Sequence, residues 1–302
     1  MSNIKKTWLW IILCFLPVAA NATWFSNGMD TSSWRLEASV FECRISHQIP
    51  YYGEAVFRTR AGERSQFTLM SDSSRLQTGQ ASIIARTPIY AEAIKSRDLG
   101  YVKVRKGLKP IQLNTSKTET LLMALFAGRD LWITRKPWYD AESSTKIGIA
   151  AVGFRGVYEA YQACLSDLLP ANYDQIRRTS VYFGSGKHDD FSPQELKKLD
   201  YIAMYAKADP SVKSFYIDGH TDSVGSRQDN LTLAEKRAEE VTLYLTNKGV
   251  PKDHITSRWH GERYPVASNG SNKGRAKNRR VTIRLERMSA PKPMAKTDQM
   301  AP

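Results

Sequence analysis

The chain has 302 residues, enough for about two domains at roughly 150 residues each. Apolar residues make up 41% and charged residues 25%, which excludes wholesale disorder, and no apolar run approaches the ~20 residues of a membrane helix, which excludes a polytopic membrane protein. Lys and Arg outnumber Asp and Glu by 44 to 30, a net charge of +14 that points to an anionic or wall-like partner: nucleic acid, lipid headgroups or an envelope polymer.

Lys5 and Lys6 precede an apolar stretch from Trp8 to Val18, and small residues then end in Ala20-Asn21-Ala22. That order is a secretory leader over residues 1–22, with the mature chain starting at Thr23. Export argues against nucleic acid as the partner, despite the charge. Cys14 lies inside the apolar stretch and leaves with the leader, so Cys43 and Cys164 remain. An even pair in an oxidising compartment favours a disulfide over two buried free thiols. Such a bridge closes a loop of about 120 residues, worth on the order of 4–5 kcal/mol in chain-entropy models. It ties the start of the first domain to its end.

From Trp24 to about Arg155 short strands dominate. Trp34 to Cys43 alternates between apolar and polar, the period of a half-buried strand. Gly53 to Arg60 repeats it, with Ala55, Phe57 and Thr59 on one face and only Val56 out of phase. Ser65–Met70, Ala81–Thr87 and Leu131–Thr134 are further strands, separated by turn residues such as Ala61-Gly62-Glu63 and Ser71-Asp72-Ser73-Ser74. Helices are expected over Thr118–Ala127, before Gly128, and over Val157–Leu168, before Pro170. The domain at 23–170 therefore reads as β-rich, an antiparallel sheet or barrel with a few helices.

The rhythm then changes. After a short strand at Val181–Phe183, Ser192-Pro193-Gln194-Glu195 supplies a cap, a first-turn proline and an acidic third residue for a helix with Leu196, Leu199, Ala203 and Ala206 on one stripe. A strand at Val212–Asp218 leads into a polar loop reaching Asn230. Thr232-Leu233-Ala234-Glu235 reads as a second capping box, for a helix that buries Ala238, Val241 and Leu245 and stops at Gly249. Strands at Ile255–Trp259 and Val281–Leu285 complete the order β-α-β-α-β-β, an α+β domain over 171–288. The proline-containing tail at 289–302 reads as disordered.

The chemistry concentrates in Gly219-His220-Thr221-Asp222-Ser223-Val224-Gly225, followed by Asn230, Leu233 and Arg237. A loop of this length can fold back and bring Asp222 near Arg237. Together they would receive a zwitterion, the carboxylate taking an ammonium and the guanidinium fork a carboxylate. A structural Asp–Arg salt bridge is the competing reading. A basic run follows, with seven basic residues among the fifteen from Lys273 to Arg287. It has no interleaved aromatics, so it reads as a solvated face and not as a nucleic-acid patch.

Gly219-His220-Thr221-Asp222, Gly225, Asn230, Leu233, Arg237-Ala238, Gly249-Val250, Gly261-Glu262, Pro265, Asn269 and Gly274 through Val281 fall at the spacing of the OmpA-like peptidoglycan-binding domain, which residues 175–287 resemble. By that resemblance Asp222 and Arg237 grip the diaminopimelate of the wall stem peptide, while Thr221, Asn230, Leu233 and Arg280 shape the pocket. Ala234 departs from the serine usual there, leaving Thr232 to supply the cap. Phe41 through Pro50 and Tyr52 through Arg58, with the two mature cysteines, are similar to the MotY family of periplasmic components of the sodium-driven polar flagellar motor. The resemblance implies a ring at the basal body, a partner MotX, stator units held in place, and a periplasmic, wall-associated location near the outer membrane.

An enzyme is the rival class. His220 with Asp222, or His188 with Asp189 and Asp190, could serve as metal ligands of a wall hydrolase, but no HExxH occurs. Gly184-Ser185-Gly186-Lys187 suggests a phosphate loop, yet Val181 and His188 occupy positions that need Gly and Ser or Thr. The residues read as a non-enzymatic binding and scaffold protein with neither cofactor nor metal. A wall-anchored envelope protein without a motor role is the alternative.

Overall fold

The computed structural model describes residues 22–28, 32–87, 95–140 and 143–288. The leader at 1–22 lies outside these residues except for Ala22, and the tail at 289–302 lies wholly outside them.

The first part holds strands β1 (Ala22–Phe25), β2 (Trp34–Ala38), β3 (Glu42–Ile49), β4 (Gly53–Arg60), β5 (Gln66–Ser71), β6 (Gly79–Arg86), β7 (Arg97–Val104), β8 (Ile111–Leu113), β9 (Asp130–Arg135) and β10 (Ser144–Ile149), with helices α1 (Thr115–Phe126) and α2 (Phe154–Ser166). They form two five-stranded sheets, β1-β10-β9-β6-β7 and β2-β3-β4-β5-β8. The first is antiparallel apart from β1, which runs parallel to β10. The strand expected over Trp34–Cys43 is divided in two. Ser39 Oγ accepts the N–H groups of Phe41 and Glu42 at 3.3 and 3.1 Å, and this local turn competes with the ladder and ends β2. β4 has the expected bounds, and Val56 is buried on the opposite face from Phe57.

By compactness the described residues fall into two units that interleave along the chain. One gathers residues up to 35, 45–57 and 66–158, and the other 36–44, 58–65 and those from 159 onward. No single cut near residue 170 separates them. Within the second unit Cys43 is bonded to Cys164, with 6.0 Å between their Cα atoms, as the even cysteine count favoured. A short helix α3 (Tyr173–Ile176) follows, capped by Asn172. The Asn172 amide also donates to the Ala61 carbonyl at 3.0 Å and to Glu63 at 2.9 Å, and Arg60 pairs with Asp174 at 2.9 Å.

The remainder of this unit is an α+β layer: β11 (Arg178–Tyr182), α4 (Pro193–Ala208), β12 (Val212–Gly219), α5 (Arg227–Asn247), β13 (Ile255–Trp259), α6 (Asn272–Asn278) and β14 (Arg280–Arg287). The sheet order is β11-β14-β12-β13, with β12 and β13 parallel and β14 antiparallel to both neighbours. The short helix α6, inside the basic run, is absent from the expected order. Phe215, Ile217, Ile283 and Leu285 on the sheet share one core with Leu199 and Ile202 of α4 and Val241 and Leu245 of α5. At the predicted cap of α4, Ser192 Oγ accepts the Glu195 N–H at 3.3 Å, but the Glu195 carboxylate turns to Lys198 and does not close the box.

Candidate functional site

Helix α5 begins at Arg227, with Ser226 Oγ accepting the Asp229 N–H at 3.1 Å. The expected start at Thr232 is therefore displaced by more than a turn. Both Ser226 and Thr232 are followed three residues later by an acid, but serine is the better cap, and Asp229 also accepts from the Ser226 hydroxyl at 2.6 Å. The buried stripe of the helix is Asn230, Ala234, Arg237, Ala238, Val241 and Leu245. Its C-terminal half is apolar and meets the core. Its N-terminal half carries Asn230 and Arg237 inward, so this end of the helix places buried polar side chains beside the carboxyl end of β12. Gly219, the last residue of β12, permits this approach: a Cβ there would lie 2.1 Å from the Ala234 carbonyl oxygen.

Arg237 is 0% exposed. It is not on the first turns of a helix starting at Thr232, as the sequence suggested, but about three turns into α5. Its Nε donates to the Lys187 carbonyl at 2.8 Å, Nη1 to that of His220 at 3.0 Å, and Nη2 to that of Gly184 at 3.0 Å. The guanidinium also lies 5.1 Å over the Phe183 ring. Gly184-Ser185-Gly186-Lys187, which imitates a phosphate loop in sequence, thus offers carbonyl oxygens to a cation instead of N–H groups to an anion. Burial, reinforced by repulsion from Arg279, pushes Arg237 down to about 10, and Asp222 offsets part of the effect. Arg237 remains charged at neutral pH, with two of its five N–H donors uncommitted.

Asp222 is buried in the loop after β12. One carboxylate oxygen accepts the Val224 N–H at 3.1 Å, and Gly225 turns the chain in the left-handed region at φ 98°. The other accepts Arg279 Nη1 at 2.9 Å, while Arg279 Nε donates to the Phe183 carbonyl at 3.1 Å. No hydrogen bond or ion pair joins Asp222 directly to Arg237; they interact through space, and the bonded partner of Asp222 is Arg279. Sequence reading missed that arginine. The tandem Arg279-Arg280 was visible, but consecutive residues entering a strand point to opposite faces. Arg280 turns the other way, donating to the carbonyls of Asn278 and Tyr264 at 3.4 and 3.2 Å.

Two further atoms mark the pocket. Thr221 Oγ1 and His220 Nδ1 are buried without a hydrogen-bond partner among the described residues. An unmatched buried polar atom costs about 1–3 kcal/mol, and such atoms are where a ligand or water is received. Burial first, then the charges of Arg280 and His260, push His220 down to about 4 against the opposing pull of Asp218, so its imidazole is neutral near neutral pH. Its ring stacks on that of His260, 5.1 Å away, and His260 bonds to Asp218 at 3.0 Å. Asn230 sits on the first turn of α5 and donates to Glu262 at 3.0 Å. Leu233 is half-buried on the next turn. The structure thus brings Thr221, Asp222, Arg237 and Arg279 together, with Asn230 on the first turn of α5 and Arg280 at the start of β14. Among the described residues no three His, Cys, Asp or Glu side chains converge as metal ligands.

One carboxylate and two guanidinium groups share a largely buried cluster with unused donors and acceptors. That is the chemistry for a ligand carrying an ammonium beside a carboxylate.

Residues 25–170 match the MotY N-terminal domain, and residues 182–279 match the OmpA family. Sodium-type flagellar protein MotY of Vibrio parahaemolyticus is 27% identical over 262 residues, spanning 85% of this chain and 88% of that one. Outer membrane protein A of Bordetella avium is 33% identical over 153 residues, 49% of this chain and 74% of its own length. Peptidoglycan-associated lipoprotein of Buchnera aphidicola is 32% identical over 124 residues, 39% of this chain and 70% of its own. The chain carries a MotY N-terminal domain followed by an OmpA domain, and by that domain it belongs to the OmpA family.

Proposed function

We propose that this protein is a periplasmic, wall-bound component of a sodium-driven flagellar motor. One observation carries the reading: a MotY N-terminal domain and an OmpA domain stand in one chain, which aligns with a sodium-type flagellar MotY across 85% of its length. The OmpA domain binds peptidoglycan, and Asp222 and Arg237 receive the zwitterionic end of the diaminopimelate side chain in the stem peptide. Arg279 presents Asp222, while Thr221, Asn230, Leu233 and Arg280 shape the pocket. The two uncommitted N–H groups of Arg237 and the unpaired Thr221 hydroxyl support that assignment. The N-terminal domain, residues 23–170, supplies the specific address. It joins a ring at the basal body together with MotX, and the ring holds stator units against the wall so that the flagellum turns. The protein is a scaffold and not an enzyme.

A deletion strain scored for swimming and for polar stator localisation tests this reading. Loss of both, restored by the full chain but not by residues 171–302 alone, is the expected result. Intact swimming with retained wall binding would leave a general envelope anchor in its place.

A further inference from the structure

A cleft of about 710 Å³ opens beside the stem-peptide pocket, between the first turns of α5 and the loop after β13, and Trp259 lines it. Five tryptophans lie within the described residues, and four have ring partners. Trp24 packs edge-on to Trp132, Trp34 lies against His47, and Trp138 packs edge-on to Tyr139. Trp259 alone among them has neither an aromatic or cationic ring contact nor a side-chain hydrogen bond, and it is 41% exposed. An indole left open in a concave site, with its N–H unmatched, is a recognition surface in waiting.

The rest of the lining narrows what the surface takes. Arg227, Gln228, Glu262 and Arg263 line the same cleft with planar hydrogen-bonding groups of both signs, and Leu231 adds a second apolar side chain. With Glu262 set among two arginines, the cleft is not a dedicated anion site. An apolar plate ringed by amide, guanidinium and carboxylate groups suits a neutral sugar ring, whose C–H face lies on the indole while its hydroxyl and acetamido groups bond to the rim. Residues of the cleft are also bonded directly to residues of the peptide site. The Gly261 carbonyl accepts the Thr221 N–H at 2.9 Å, and Glu262 accepts the Asn230 amide at 3.0 Å. A peptide held at Asp222 and Arg237 that is covalently attached to a glycan strand has this cleft as its neighbouring surface.

We infer that the cleft is a carbohydrate subsite in which Trp259 stacks on an N-acetylated sugar of the glycan strand that bears the bound stem peptide. This rests on the peptidoglycan reading above and extends it from the peptide to the polymer.

The test uses the full mature chain and two soluble probes, a diaminopimelate-containing stem tripeptide and the same tripeptide on its disaccharide, with affinities measured by titration calorimetry. The disaccharide probe should bind the parent protein more tightly than the tripeptide. Trp259→Ala should remove most of that gain, roughly threefold to tenfold for one aromatic platform, and leave tripeptide affinity unchanged. Asp222→Asn should weaken both probes. Trp259 lies at the exposed end of an edge strand, so an unchanged melting temperature will confirm that the variant is folded. No gain from the sugars in the parent, or a gain that survives Trp259→Ala, overturns the subsite while leaving the peptide pocket intact. If neither probe binds the parent, the peptidoglycan reading fails, and the subsite fails with it.

Discussion

Arg279 holds the Asp222 carboxylate across 2.9 Å, with both side chains largely buried and the guanidinium Nε tied to the Phe183 carbonyl. The acid is therefore oriented and charge-compensated before any ligand arrives, which lowers the ordering cost of binding. Asp222→Asn keeps the shape and one acceptor for Arg279 but removes the charge an ammonium needs. Sedimentation with purified peptidoglycan should fall about 30-fold or more, as when one partner of a buried charge pair is lost. The melting temperature should change far less. Wall binding that persists in Asp222→Asn would remove this residue from the site.

Arg237 needs a different design, because three carbonyl oxygens depend on it. Arg237→Ala removes the guanidinium donor from the buried His220 carbonyl and from the part-buried contacts to Lys187 and Gly184, and it opens a cavity beside Phe183. A loss of about 3 kcal/mol or more in denaturant unfolding is expected, and weak wall binding in that variant says little by itself. Arg237→Lys keeps the charge but not the fork. It should remain folded and still bind the wall poorly, since an ammonium cannot serve carbonyls and a bidentate carboxylate together. Full stability in Arg237→Ala would contradict the carbonyl cage.

Acid should unfold the protein through its buried histidines. His220 is pushed down to about 4 by burial first and nearby cations second. His47 is pushed down to about 4 by burial, against the hydrogen bond to the Ser33 carbonyl. Both have folded values below the unfolded one near 6.5, so between about pH 6.5 and 4 the unfolded chain binds more protons. Stability from these two residues is present above that window and is lost as pH falls through it, at up to about 1.4 kcal/mol per pH unit for each. Melting temperatures from pH 7.5 to 4 should drop accordingly, with a shallower drop in His220→Gln. A flat profile would rule out the neutral buried imidazoles.

The Cys43–Cys164 bond joins β3 to α2 across a sequence separation of 121. Cys43→Ser should lower stability by on the order of 4 kcal/mol, if the bridge acts mainly by limiting the unfolded chain. Mass spectrometry of unreduced periplasmic protein should show no free thiol in the parent and a mature start at Thr23. Two alkylatable thiols would exclude the bridge.

Much of the fold was legible along the chain because its signals are local. The alternation over Gly53–Arg60, the Ser192 cap and Pro193 start of α4, and the strand at Ile255–Trp259 each depend on neighbours within a few residues, and each stands where expected. The α5 stripe of Ala238, Val241 and Leu245 was visible for the same reason. Composition and spacing also separated a β-rich first domain from an α+β second one. They marked Asp222, Arg237, Cys43 and Cys164 as the residues to follow.

What the tertiary structure decided is who meets whom. A charge pattern states that Asp222 requires a cation but not which of several nearby arginines supplies it, because electrostatic attraction is long-ranged and carries no direction. The hydrogen-bonded pair is chosen by which face Arg279 takes as α6 gives way to β14, a matter of backbone geometry. Likewise, nothing in Gly184 or Lys187 as residue types reveals that their carbonyls will cage Arg237. Every residue has a carbonyl, and only the packing of this loop onto α5 aims these two. The interleaving of the compact units is of the same kind: residues 36–44 and 58–65 group with the C-terminal fold through contacts that are remote in sequence. Local patterns give the elements, whereas the site exists only where distant elements converge.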